Sequence, residues 1–187
     1  MMKNLWKWLV GALTLAVLIT GAWFLYDYLQ GQYEPDQIQD SDDDPVTSLY
    51  AAPDFTVLDV DGNEVALSDM KGKPVVINFW ATWCYFCGSE MPDFEEMYQQ
   101  YGDEVVFMMV NVTDGVQDTV STAQSYIDEK AYTFPVYFDT ELEATYAYGA
   151  TSLPVTYFVD AEGDIAGRVL GVINTEKLQK GIDMITK

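Results

Sequence analysis

The sequence predicts an α/β domain built as a three-layer sandwich, with helices on both faces of a mixed central sheet, preceded by one transmembrane helix. Three observations predict it. Apolar runs of strand length occur at 74–80, PVVINFW, and at 104–112, EVVFMMVNV, as expected for strands buried on both faces. Stretches of helical length alternate with such strands, which is how parallel strands are joined. Near the N-terminus, the 19 residues from Trp8 to Tyr26 carry no charge.

As a helix that segment would be about 28 Å long, enough to cross a bilayer. Trp6, Trp8, Trp23, Tyr26 and Tyr28 stand near its two ends, where aromatic rings favour the headgroup level. Lys3 and Lys7 precede it and Asp27 follows, so the positive-inside rule puts the N-terminus in the cytoplasm and the remainder outside. A cleaved signal peptide ending at Thr20-Gly21-Ala22 is the alternative. The uncleaved anchor is preferred because Trp23 to Tyr26 continues the apolar span past that point. No Cys follows closely enough for a lipid attachment. The chain thus reads as a cytoplasmic stub (1–7), an anchor in the cell membrane (8–26), an acidic tether (27–50) and an extracytoplasmic domain (51–187).

The tether contains Asp40, Asp42, Asp43, Asp44 and Pro45 and lacks the aliphatic residues a core needs. In the domain, residues 55–67 alternate around Asp61-Gly62, a hairpin signal. The run 74–80 is the central strand, and 86–101 a helix whose start is Cys84 and whose interior Pro92 predicts a kink. After the strand 104–112 comes an amphipathic helix at 118–130, a short strand at 134–138 and a helix at 141–148. Residues 154–160 and 164–170 form a hairpin around Glu162-Gly163, and a helix at 175–185 is capped by Asn174.

Composition excludes several chemistries. Without His there is no Ser-His-Asp or Cys-His hydrolase site and no His-ligated zinc, iron or haem. The 30 Asp and Glu against 9 Lys and Arg, for a net charge of -21, exclude nucleic acid as a partner. This acidity reads first as a solvated surface, with a weaker role in choosing basic partners.

The arrangement that demands chemistry is Trp83-Cys84-Tyr85-Phe86-Cys87, placed after a buried strand and at a helix start. At that position free N–H groups and the helix dipole stabilise an anion, lowering a thiol pKa. Cys84 is therefore the exposed nucleophile, and Cys87, one turn in, the resolving thiol. A structural staple is disfavoured because so short a loop removes little unfolded-state entropy. Structural zinc would need carboxylates or a second chain to complete its ligands, and two inert core cysteines are the remaining alternative. No metal or organic cofactor is implied.

These residues resemble the thioredoxin superfamily, and within it the membrane-anchored thiol-disulfide reductases of the TlpA and ResA type. The resemblance is carried by Ala52-Pro53-Asp54-Phe55, Leu67-Ser68-Asp69, Lys71-Gly72-Lys73, VVINFWATWCYFC at 75–87, Glu90-Met91-Pro92 and Tyr148-Gly149 through Leu153-Pro154-Val155-Thr156. It implies a thioredoxin-like fold with an N-terminal hairpin and an αβ insertion at 118–138. It also implies a cis bond before Pro154, a Leu153 backbone that receives an extended substrate segment, and a docking surface that includes Trp83. Trp80, which also flanks the site, reads equally as core packing.

Asn78 stands where cytoplasmic thioredoxins have a buried Asp. Since an amide cannot take up a proton, the resemblance assigns that task to Glu90, on the same helix face as Cys87; the alternative is a solvated helix Glu. Tyr85-Phe86 departs from the Pro-containing dipeptides of relatives, which leaves partner choice open.

The activity implied is reduction of disulfides in exported proteins, apocytochrome c among them as in cytochrome c maturation, with electrons from a transmembrane thiol carrier of the CcdA or DsbD type. An exported dithiol oxidase is the opposite direction on the same site. A peroxiredoxin would need Pro-x-x-x-Thr-x-x-Cys, whereas Thr82 lies two residues before Cys84 with no Pro ahead of it. A copper chaperone would need Cys-x-x-x-Cys and a distant His.

Overall fold

The computed structural model describes residues 18–26 and 50–186. The chain divides into two units, Met1–Asp42 and Asp43–Lys187. Most of the expected anchor, the stub and the tether up to residue 49 lie outside the described residues. Residues 18–26 are helical with exposed side chains, and among the described residues no helix is long and apolar enough to cross a membrane.

Seven strands form one sheet: β1 (Thr56–Leu58), β2 (Glu64–Ala66), β3 (Val75–Trp80), β4 (Val106–Asn111), β5 (Val136–Phe138), β6 (Val155–Val159) and β7 (Ile165–Leu170), in the order β2-β1-β5-β4-β3-β6-β7. β3 pairs parallel with β4, and β4 with β5, while β6 runs antiparallel to β3 and β7. The helices are α1 (Tyr85–Tyr101), α2 (Val120–Lys130), α3 (Glu143–Ala147) and α4 (Thr175–Ile185), with a 3-10 turn at Leu67–Met70. This is the mixed-sheet α/β sandwich the sequence predicts.

β3 is central because every residue in it is apolar or amide and every one is buried. Its two faces serve different layers. Val75, Ile77 and Phe79 pack with Phe55, Tyr148, Val155 and Tyr157 on the side of α3. On the other face Asn78 meets α1 through Glu90, and the Trp80 ring lies 5.8 Å from that of Tyr126 in α2. α4 joins this layer, with Thr175 Oγ1 donating to Asp93 of α1 at 2.6 Å.

The β1–β2 hairpin turns where Asp59 Oδ1 accepts the N–H groups of Asp61 and Asn63, at 2.9 and 2.8 Å, and Gly62 takes the left-handed φ of 80°. Asn174 Oδ1 accepts the Lys177 N–H at 3.1 Å, so α4 begins where the cap predicts.

Several boundaries differ from expectation. β4 and β5 are shorter than 104–112 and 134–138. α2 starts at Val120 because Thr119 caps it, which turns Asp118 inward instead. α3 is confined to 143–147: the buried Asp139 carboxyl accepts the Ala144 and Thr145 N–H groups at 3.3 and 2.7 Å, and Tyr148 leaves the helix for the aromatic cluster of Phe55, Phe79 and Tyr157. α1 runs through Pro92 as one element.

Candidate active site

β3 ends at Trp80, and the chain turns directly into α1. Cys84 N–H donates to the Ala81 carbonyl at 3.2 Å, closing the turn. Cys84 is then the N-cap of α1, its Sγ accepting the Cys87 N–H at 3.1 Å. A sulfur here faces the unpaired N–H groups of the first turn, the environment that favours a thiolate. The two cysteines are joined as a disulfide, Cα atoms 5.3 Å apart. Their accessibility differs: Cys84 is 8% exposed and Cys87 0%.

Around Cys84 the surface is aromatic. Trp83 is 51% exposed, Tyr85 83% and Phe86 60%, with the Tyr85 and Phe86 rings edge to face at 5.7 Å. Trp80, by contrast, is core. The Leu153–Pro154 bond is cis. Because Val155 pairs with Phe79, Pro154 opens β6 beside the end of β3 that leads into the cysteines. Pro154 is buried and its carbonyl accepts the Gly171 N–H at 2.9 Å. Leu153 is half-buried, and its backbone makes no hydrogen bond among the described residues.

Glu90 is fully buried, which discards the solvated-face alternative. Its Oε1 accepts from Asn78 Nδ2 at 2.8 Å and its Oε2 from the Ile173 N–H at 2.9 Å. Burial pushes the Glu90 pKa up from 4.5 to about 7, against the lowering effect of those two hydrogen bonds and with a small addition from Asp93. A carboxyl that titrates near neutrality on the helix face of Cys87 is suited to proton exchange. Asn78 Nδ2 also donates to Thr156 Oγ1 at 3.1 Å, while Asn78 Oδ1 is buried without a hydrogen-bond partner among the described residues.

The structure thus gathers Trp83, Cys84, Cys87 and Glu90 around the start of α1 and sets Leu153 and Pro154 immediately before β6. Asp118, Asn111, Thr156 and Ile173 also belong to this region and were not legible beforehand. Among the described residues no group of three or more His, Cys, Asp or Glu could hold a metal ion.

Residues 50–168 match the AhpC/TSA family. The chain is 30% identical to the thioredoxin-like protein YneN of Bacillus subtilis across 95% of its own length and 98% of that protein's. It is 38% identical to the thiol-disulfide oxidoreductase ResA of Oceanobacillus iheyensis over 69% of this chain and 68% of that one. Among solved structures, an exposed lipoprotein thioredoxin of Streptococcus pneumoniae superposes with a TM-score of 0.62 at 30% identity, covering 70% of this chain and 99% of the other. A DsbF homologue from Corynebacterium diphtheriae gives 0.65 at 25% identity, covering 81% and 96%.

Proposed function

The chain belongs to the AhpC/TSA family and is a thiol-disulfide oxidoreductase, and from that premise we propose that it works on the outer face of the cell membrane, tethered by residues 8–26, as a reductant of disulfides in exported proteins. The observation that carries the reading is the unequal pair: Cys84 caps α1 and keeps a small exposed area of 8%, while Cys87 has none and lies on the helix face that carries a buried Glu90.

In the forward cycle the Cys84 thiolate attacks one sulfur of a substrate disulfide. A mixed disulfide forms and the other substrate sulfur leaves as thiolate. Cys87 passes its proton to Glu90 and attacks Cys84 Sγ, which releases the second substrate sulfur and closes the Cys84–Cys87 disulfide. The substrate gains two electrons and is released as two thiolates, which take up one proton from Glu90 and one from solvent. A transmembrane thiol carrier of the CcdA or DsbD type returns the protein to the dithiol by the reverse exchange. Trp83 adjoins the attacking sulfur in the chain, and Leu153, beside the end of β3 that leads to it, offers a free backbone with which an extended substrate segment pairs as an added strand would. Apocytochrome c, met during cytochrome c maturation, is a substrate of the right kind: an exported chain whose paired cysteines must be reduced before use.

Direction follows from charge. The helix N-terminus favours the Cys84 thiolate, which stabilises the reduced form and makes an oxidant. Against it stand the excess of acid and the lack of any His between the cysteines. Equilibration of the protein with glutathione and with dithiothreitol is therefore expected to give a potential on the reducing side of about -200 mV, and a value near about -120 mV would make it an oxidase instead.

A further inference from the structure

The turn that carries Cys84 is held from outside its own element. Asp118, fully buried, reaches it from the loop between β4 and α2: its Oδ2 accepts the Thr82 N–H at 2.8 Å and Asn111 Nδ2 at 2.8 Å, and its Oδ1 meets Thr82 Oγ1. Thr82 N–H, in a turn directly after a buried strand, finds its partner there. The loop is stapled so as to present that carboxyl. Asp114 Oδ1 accepts the N–H groups of Val116, Gln117 and Asp118 at 2.8, 2.7 and 3.1 Å, and the Asp118 carbonyl accepts the Gly115 N–H at 2.8 Å. Thr113 Oγ1 donates to Asn111 Oδ1 at 2.8 Å, which orients the amide so that its Nδ2 faces Asp118. An ordinary helix-entry Asp would be solvated at the N-terminus of α2. Thr119 performs that capping, so Asp118 is free to bond elsewhere.

We propose that Asp118 is a positioning residue for the Cys84 thiol, acting through Thr82. It fixes the turn two residues before the sulfur and one before Trp83, so that both the nucleophile and the exposed indole beside it are set before a substrate arrives. Pre-set geometry speeds a bimolecular attack because the cost of ordering is met in folding rather than in the transition state. The proposal rests on Cys84 being the attacking thiol.

The substitutions separate bonding from shape. Asn at 118 can keep every contact: its Oδ1 accepts from Thr82 N–H and Asn111 Nδ2, and its Nδ2 donates to Thr82 Oγ1, which accepts as readily as it donates. Ala keeps none and leaves the part-buried Thr82 N–H and the buried Asn111 Nδ2 without this acceptor. Reduced full-length protein in detergent, mixed with a disulfide-closed peptide well below its melting temperature, reports the attack step through tryptophan fluorescence. Asp118→Ala is expected to slow attack by about 10-fold to 100-fold, and Asp118→Asn to stay near wild type. Thr82→Val should be slowed on its own and add little in the Asp118→Ala background, as coupled residues do. If Asp118→Ala does not fold, slow attack by Thr82→Val with normal attack by Asp118→Asn carries the same conclusion. A folded Asp118→Ala protein reacting at the wild-type rate, equal slowing by the Ala and Asn variants, or strict additivity with Thr82→Val would each overturn the proposal. Wild-type protein that fails to reduce the peptide would instead remove the reading of Cys84 as nucleophile, and this positioning role with it.

Discussion

Asn78 Nδ2 donates to Glu90 Oε1 across 2.8 Å in a part of the core where neither residue has any exposed surface. The pairing explains why an amide suits this strand. A carboxyl at 78 would set two acids together, and one would have to stay protonated. An amide avoids that conflict: Nδ2 donates to Glu90 Oε1 and brings no second titrating group into the core.

This pair makes stability depend on pH with a definite sign. The Glu90 pKa is raised from 4.5 to about 7, so between those values the folded state binds more protons than the unfolded one. Stability is then highest below the unfolded value and falls as pH rises to the folded one, by about 3 kcal/mol in all. Glu90→Gln should flatten that slope between pH 4.5 and about 7 in urea titrations. An unchanged slope would assign it to other carboxyls.

The same substitution tests chemistry. Gln matches Glu in size and helix preference but cannot take a proton, so resolution by Cys87 should slow by about 10-fold to 100-fold and lose its dependence on a group of pKa about 7. Stopped-flow exchange from about pH 5 to about pH 9 reads this. Profiles that superpose on wild type would leave Glu90 as a core residue only.

Trp83 carries a different expectation. Exposed beside Cys84, it contributes apolar contact to a bound chain, so Trp83→Ala should raise KM for a protein disulfide and leave the rate with glutathione disulfide near wild type. Equal loss with both would mean that the indole shapes the thiol rather than the docking surface.

Packing between α4 and β6 gives a stability test remote from the site. A Cβ on Gly181 would overlap the Phe158 ring, which is buried beneath it. Helix propensity alone would favour Gly181→Ala by about 1 kcal/mol, yet the overlap should outweigh it and leave the variant less stable by about 1–3 kcal/mol. A thermal melt equal to or above wild type would contradict the tightness of that contact.

Much of the fold was legible because its signals are local. The buried strands β3 and β4, the hairpin turn at Asp61-Gly62 and the Asn174 cap are written in neighbouring residues, as is the placement of Cys84 at a helix start. What was not legible depends on partners distant in sequence. Whether Glu90 was solvated or buried turned on Ile173, 83 residues on, and on Asn78 from the central strand. Asp118 reads as a helix-entry residue until Thr119 is seen to cap α2 and Thr82 to need an acceptor. Asp139 likewise looks like a loop residue, though it is buried and caps α3. The order of strands, with β5 between β1 and β4, is set by packing that no local pattern encodes.

Trapping of reaction partners tests the assignment of the two cysteines most directly. Cys87→Ser leaves the Cys84 thiolate able to attack but removes the thiol that resolves the product, so mixed disulfides with exported proteins should accumulate in cells and disappear on treatment with dithiothreitol. Cys84→Ser should trap none, because the remaining sulfur is buried. Non-reducing gels of cells expressing each variant decide it: adducts with Cys87→Ser alone are the result expected, and equal trapping by both variants, or by neither, would contradict the account.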